Sequence, residues 1–391
     1  MTPAGDASAS RRGDRAGTTF PSAPDLLPAP FAGGDRPGQL DIVPPLLARA
    51  DGGRDLVVLV DGLGSELLEE HLALTPTLRR LRDEVRTVRT VSPSTTATAM
   101  TSLITGLAPL EHGVLGYLTR DPRSGRAVNQ LTGAAGIDPA QWMPCPVPAE
   151  RTRRRALQVA PAKHAGSLLT GSAFRGWEFF AQAERGDRTG AALAALRAGG
   201  DDALVHLHVD DVDHAGHKHG VDSDAWRDAL AGADSLIGTL LRRAPTGTRV
   251  HMTADHGMVD TAPERTIDLA RVPQVRRGLA MVAGEPRALV LFARRPEDAP
   301  ALVEATREAV GEHAVVLSRE EMLGAGLLGP GTSPSIPPHL HGRVGDAIVL
   351  ARGRWVVDDP RRHASSRRPE TGVHGSLTSA ESLVPLLTVE V

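Results

Sequence analysis

Short runs of Val, Leu and Ile recur along this chain, in "DLVVLV", "DALVHLHV", "TRVHMTA", "RALVLFA" and "DAIVLA", separated by longer stretches rich in Ala, Leu and Arg. A run that is apolar at nearly every position, rather than at every second one, suits a strand covered on both faces. Strands of that kind alternating with helices predict an α/β fold with a mostly parallel central sheet flanked by helices. Ligands of such sheets bind beyond the carboxyl ends of the strands, so the residues that follow each run carry the most information.

Three of the runs lead into acids. "LVVLV" runs into Asp61, "ALVHLHV" leads through Asp210 and Asp211 to Asp213, and "RVHMTA" runs into Asp255. Taken singly, each acid is accounted for as a helix cap or an Asx turn. Their recurrence at the same end of successive strands, each time near a glycine, predicts one convergent site. Histidines accompany them: Asp213 and His217 stand four apart in "DVDHAGH", able to share one face of a helical turn, and Asp255 is followed directly by His256. His374 in "TGVHGSL" is the candidate to complete the set. Carboxylates mixed with imidazoles suit a divalent cation, zinc ahead of manganese or iron. Of the other histidines, His206 and His208 alternate along a strand and read as core groups or supports for a ligand; His214 and His219 flank the pattern without fitting it. His339 and His341 lie in a Pro-rich loop and rank below His374.

The stretch "SPSTTATAMTSLITGLAPLEHG" raises a separate question. After Pro93 it reads as a helix beginning near Thr96 or Thr98, whose unpaired N–H groups and positive dipole end favour a phosphoryl group. Ser94, Thr95, Thr96 and Thr98 are either capping residues or include a hydroxyl nucleophile, which would need a base or a metal for activation.

The first 38 residues, rich in Ala, Gly, Ser, Pro and Arg, are expected to form a disordered arm, and residues 39–391 one catalytic domain. The Tyr117 to Gly186 region, which holds Trp142, Trp177, Phe179 and Phe180, is expected to build loops over one end of the sheet. An inserted subdomain is expected at about 280–340. With 41% hydrophobic residues the chain can bury a sizeable core, and a formal net charge of −3 argues against a nucleic-acid polymer or an anionic membrane as partner. The arginines at 151, 153, 154 and 155 form only a local basic cluster. One cysteine, Cys145, allows no internal disulfide; no apolar run reaches the about 18 residues of a membrane span. The beginning of the chain lacks the apolar core of a secretory signal, so a cytoplasmic protein is expected. Its oligomeric state is left open.

"VVLVDGLG", "SPSTTATAMTSLITGLAPLEHG", "DVDHAGH", "TADHGM" and "GVHGSL", in this order, resemble the alkaline phosphatase superfamily, specifically its type I phosphodiesterase/nucleotide pyrophosphatase branch. The resemblance spans nearly the whole chain after the arm. It implies an alkaline phosphatase-like fold with inserted loop or cap regions, and a site for two divalent metal ions, zinc by preference. Carried over position by position, Asp61, Asp255 and His256 would bind the metal that holds the nucleophile, and Asp213, His217 and His374 the other. Thr96 would be the nucleophile and a ligand of the first metal, forming a phosphothreonine intermediate; its spacing to Thr105-Gly106 resembles that of the family's nucleophile. The implied substrate is a small phosphodiester or pyrophosphate, nucleotide-like, with a phosphomonoester as the alternative.

One departure concerns an asparagine three residues after the nucleophile that is expected to bind a phosphoryl oxygen; Ala99 stands there, with Asn129 and Arg175 as weak substitutes. The surroundings of Cys145, "MPCPVP", do not match the sulfatase nucleophile pattern, and a phosphoglycerate mutase would use serine. A non-catalytic metal-stabilised module leaves the hydroxyl at position 96 without a purpose.

Overall fold

The computed structural model describes residues 20–21, 23–50, 52–182, 187–331, 336–360 and 370–391. At its centre the Arg54–Val60 strand lies between Ala203–Val209 and Thr248–Thr253, parallel to both. Arg155–Pro161 and Glu178–Gln182 extend the parallel sheet on one side. On the other, Leu383–Glu390 runs antiparallel to Thr248–Thr253 and carries the edge strand Val85–Arg89. The sheet is covered on both faces, as the apolar runs require. Leu56, Val58 and Val60 pack on one side with Trp226, Leu230 and Ile237 of the Asp224–Arg243 helix. Val57 and Leu59 pack on the other with Met100, Leu103 and Ile104 of the Thr96–Thr105 helix.

Two of the apolar runs belong elsewhere. "RALVLFA" and "DAIVLA" supply the Ala288–Ala293 and Ala347–Ala351 strands of a second, antiparallel sheet, together with Leu279–Glu285 and Ala314–Ser318. The Ala299–Val310 helix covers one face through Leu302, Val303 and Val310. The other face meets Leu110, Leu115 and Leu377 of the main body. The inserted subdomain therefore runs past the expected limit of 340, because its inner strand Ala347–Ala351 comes last in sequence.

Two more expectations need correction. The Tyr117 to Gly186 region does not only build loops, since it contributes the central-sheet strands Arg155–Pro161 and Glu178–Gln182. Their apolar character is diluted by Gln158 and by Glu178, which forms an ion pair with Arg155. The expected arm also ends earlier than residue 38. Ala23, Leu26, Ala29 and Phe31 are buried, Leu27 N–H donates to the Leu377 carbonyl (2.8 Å), and Asp25 binds Arg352 (2.7 Å). Residues 1–19 lie outside the described part. Among the described residues no helix is long and apolar enough to cross a membrane.

The threonine-rich segment forms the Thr96–Thr105 helix, closed by Gly106 at φ 70°, a left-handed position that glycine adopts without strain. His112 secures it from below. Its Nε2 lies 2.9 Å from Ser102 Oγ, and its Nδ1 accepts from Val114 N–H at 3.0 Å. The ring is fully buried, and burial pushes its pKa down to about 3. The unfolded chain takes up this proton near pH 6.5, while the folded protein resists it until about pH 3. The resulting stabilisation is complete above pH 6.5 and is lost as the pH falls, at a slope of up to about 1.4 kcal/mol per pH unit. His112→Gln is expected to cost about 1–2 kcal/mol at pH 7. The gap to the wild type should narrow toward pH 4 in urea unfolding curves; a constant gap would contradict the burial account.

Candidate active site

Asp61 follows the central strand, and its N–H is held by the Val209 carbonyl of the neighbouring strand at 2.9 Å. Asp213 and His217 lie on the Asp211–His219 helix that leaves that neighbouring strand. Asp255 and His256 follow the strand on the other side. His374 arrives from the short strand Gly372–Val373, which pairs with Val259–Asp260 just beyond His256. Thr96 stands at the first turn of its helix. All seven residues expected from the sequence thus meet at the carboxyl edge of the parallel strands.

The distances describe two overlapping groups. Asp213, His217 and His374 form one: His217 Nε2 is 3.2 Å from Asp213 Oδ1 and 3.3 Å from His374 Nε2. Asp61, Asp213 and His256 form the other, with His256 Nε2 3.4 Å from Asp61 Oδ1. Asp213 therefore stands between the two groups. Asp255 Oδ2 lies 3.4 Å from His256 Nε2, while its Oδ1 accepts from the N–H groups of Gly62 (3.3 Å) and His256 (3.1 Å). Thr96 Oγ1 is 3.1 Å from His256 Nε2 and 3.5 Å from Asp61 Oδ1.

Each imidazole is oriented from behind. The Nδ1 atoms of His217, His256 and His374 are held by the carbonyls of Gly372 (2.8 Å), Gly257 (3.0 Å) and Ser94 (2.9 Å). A ring that donates from Nδ1 presents Nε2 as its ligating atom. The rings of His256 and His374 stack at 3.6 Å. Asp213 Oδ1 and Asp255 Oδ2 are buried without a hydrogen-bond partner among the described residues. Burial, and then the charges of Asp255, Asp213 and Asp210, push the Asp61 carboxyl well above the usual carboxylate range. Burial also opposes charge on Asp213 and His217, yet their contact holds Asp213 low and raises His217 to about 9. Crowded carboxylates, inward Nε2 atoms and orphaned buried oxygens together fit divalent cations.

The hydroxyls around Thr96 are not helix caps. The N-cap residue Thr95 makes no side-chain capping bond; Ser94 Oγ donates to the Ser376 carbonyl at 2.7 Å, and Thr98 is fully buried. The first N–H groups of the helix therefore have no side-chain cap beside Thr96, an arrangement suited to an anion. Ala99 lies on the buried side of this helix among Phe31, Leu40, Val91 and Ala108, so that position does not border the site. Asn129 caps the N–H groups of Leu131 and Thr132, and Arg175 ties Glu150 to the Met143 carbonyl; both are loop braces. His341 Nε2 binds the Ile336 carbonyl instead of joining the cluster. One contact went unassigned in the sequence: His208 Nε2 lies 2.8 Å from Asp61 Oδ2.

Against this geometry, the profile of the family "Type I phosphodiesterase / nucleotide pyrophosphatase" matches residues 56–377. The chain belongs to that family. Its members are hydrolytic enzymes, generally dependent on two metal ions, and the groups described above are the candidate ligands here. Among solved structures, human ectonucleotide pyrophosphatase/phosphodiesterase 5 is similar at 18% identity and a TM-score of 0.64, over 86% of this chain and 87% of that one. The murine protein is similar at 19% identity and 0.62, over 85% and 87%. An inactive threonine-to-alanine variant of the murine protein in complex with AMP gives 18% and 0.61, over 85% and 87%. This likeness establishes the alkaline phosphatase-like fold. No curated protein matches the chain by sequence.

Gly62, next to Asp61, has a φ of 77°, and a Cβ there would lie 3.0 Å from the Cα and Cβ of Asp213. Gly62→Ala is expected to lower stability by about 1–2 kcal/mol through the left-handed backbone and to displace Asp213. Urea unfolding and zinc competition with a chromophoric chelator would show both effects. Unchanged zinc binding would mean that Asp213 has room to retreat.

Proposed function

We propose that this chain hydrolyses small phosphodiesters or pyrophosphates of nucleotide type, with Thr96 as the nucleophile and two divalent cations, zinc by preference, as cofactors. The observation that carries this reading is the position of Thr96 Oγ1, which faces both His256 Nε2 and Asp61 Oδ1 at an uncapped helix N-terminus. Asp61, Asp255 and His256 would hold the cation beside Thr96, and Asp213, His217 and His374 the other, with Asp213 close enough to contribute to both. The mixed carboxylate and imidazole donors favour zinc. When bound, such a pair supplies charge neutralisation and lowers the pKa of hydroxyl and water oxygens.

The chain's own residues account for the rest. Thr96 Oγ attacks phosphorus, the bond to the leaving alcohol or phosphate breaks in line, the hydroxyl proton ends on the leaving oxygen, and a phosphothreonine forms. The N–H groups of the first helical turn face the phosphoryl oxygens, and their fixed dipoles require no reorganisation as charge shifts. Water then displaces Thr96 from phosphorus, which restores the hydroxyl and releases the phosphate product. Burial of Asp61, Asp255 and His256 keeps the reacting hydroxyl in a poorly solvated environment, where these charges act more strongly. The AMP complex of the murine relative supports a nucleotide-like substrate.

Thr96→Ala is expected to keep its fold and zinc while turnover of bis-p-nitrophenyl phosphate falls by on the order of 10³-fold or more. Surviving turnover would remove Thr96 from the nucleophile role. The wild type should prefer this diester over p-nitrophenyl phosphate, and stripping the metal with a chelator should abolish activity until zinc is returned. Preference for the monoester would reassign the substrate class.

A further inference from the structure

The Asp61 carboxylate has a partner that the two cation groups do not use. His208 lies on the Ala203–Val209 strand, in register with Leu59 of the central strand, and alternation places its side chain on the same face as those of Leu59 and Asp61. That face is the one packed against the Thr96–Thr105 helix. There His208 Nε2 meets Asp61 Oδ2 at 2.8 Å, while Asp61 Oδ1 lies on the side of His256 Nε2 and Thr96 Oγ1. The carboxylate is thus divided between two duties, one oxygen fixed from behind and the other facing the cluster.

We infer that His208 is a positioning residue, whose Nε2–H holds Asp61 Oδ2 so that Oδ1 alone is presented to the cation beside Thr96. The inference rests on the two-cation reading of the site. A carboxylate whose second oxygen accepts a hydrogen bond cannot swing about its terminal torsion to present both oxygens, and the bond offsets part of the cost of burying its charge. Asp61 needs this support, because its side chain is only 5% exposed and faces Asp213 and Asp255. His208 is suited to the task by its place: the strand hydrogen bonds that set its register also hold the Asp61 N–H, so the two groups are aligned by one backbone ladder. The neighbouring His206, two residues earlier on the same face, is sealed against Phe174 and Trp177 and does not reach the site.

The test compares zinc affinity of the metal-free wild type, His208→Ala, His208→Gln and His208→Asn by chelator competition. The glutamine amide can donate from about the place of Nε2, whereas the asparagine amide is too short to reach it. His208→Ala and His208→Asn are expected to bind the zinc beside Thr96 about 10–100-fold more weakly. His208→Gln should recover most of that loss, and kcat should follow the same order at nearly unchanged KM. Thermal melts of the metal-free proteins check the fold; should His208→Ala fail to fold, the Gln and Asn pair decides. Equal affinity in all four proteins, or equal loss in Gln and Asn, would overturn the positioning role while leaving the two-cation site standing. A wild type that binds no zinc would instead overturn the proposed function and this inference with it.

Discussion

The arrangement depends on the enforced proximity of Asp61, Asp213 and Asp255 at one edge of the sheet. Parallel strands with crossover helices deliver their carboxyl ends to the same side, so acids far apart in sequence meet without any local contact between them. Charges of one sign at such distances repel by several kcal/mol at the dielectric of a protein boundary. The surrounding groups partly offset this. Asp255 takes two backbone N–H groups, Asp61 takes His208, and Asp213 is paired with His217. Asp255 Oδ2, which accepts no hydrogen bond among the described residues, faces His256 Nε2 in the cluster, where the chemistry of the donors suits a hard to borderline cation.

The site also needs elements that are not part of the parallel sheet, and a buried ion pair holds them in place. Arg287, on the subdomain, is fully buried and donates to both carboxylate oxygens of Glu381, at 3.0 and 2.5 Å. Glu381 in turn accepts from Ser376 N–H and Thr378 Oγ1, which shapes the turn after His374, and its own carbonyl accepts from Gly257 N–H beside His256. Glu381 therefore couples the subdomain, through its carboxylate and its main-chain carbonyl, to the segments that carry two of the three inward imidazoles. Such a pair adds little net stability compared with apolar packing, but its fixed geometry suits the alignment of separate chain segments.

How much of this could be read from the residues alone differs by kind of feature. The strand-end acids, the Asp213 to His217 spacing and the start of the Thr96 helix were legible, because each follows from a local rule of periodicity or termination. Sheet membership was not. "RALVLFA" and "DAIVLA" are as apolar as "DLVVLV", and only tertiary pairing assigns them to the antiparallel subdomain. The strands at Arg155–Pro161 and Glu178–Gln182 were hidden by polar residues that pair across neighbouring strands, such as Arg155 with Glu178. The packing of residues 23–38 escaped because a segment rich in Pro and Ala shows no period, although Leu26 and Phe31 anchor it. His208 could be narrowed to a core or supporting role; its contact with Asp61 depends on the register between two strands, which no spacing within one strand reveals.

The threonine-rich stretch shows how a degenerate sequence becomes specific once it is folded. Thr101 and Thr105 turn their hydroxyls back onto the carbonyls of Ala97 and Thr101, Ser102 meets His112, and Ser94 reaches the Ser376 carbonyl. These bonds satisfy buried hydroxyls internally and fasten the helix to its surroundings on several sides. Thr96 is the hydroxyl of this stretch that faces the Asp61 and His256 groups. Its setting follows from the absence of a cap: a capping side chain at Thr95 would occupy the first N–H groups of the helix and compete with an anion for them. A residue type commonly used to close a helix end here leaves that end open, and the rigid, internally bonded helix behind it fixes where the hydroxyl stands.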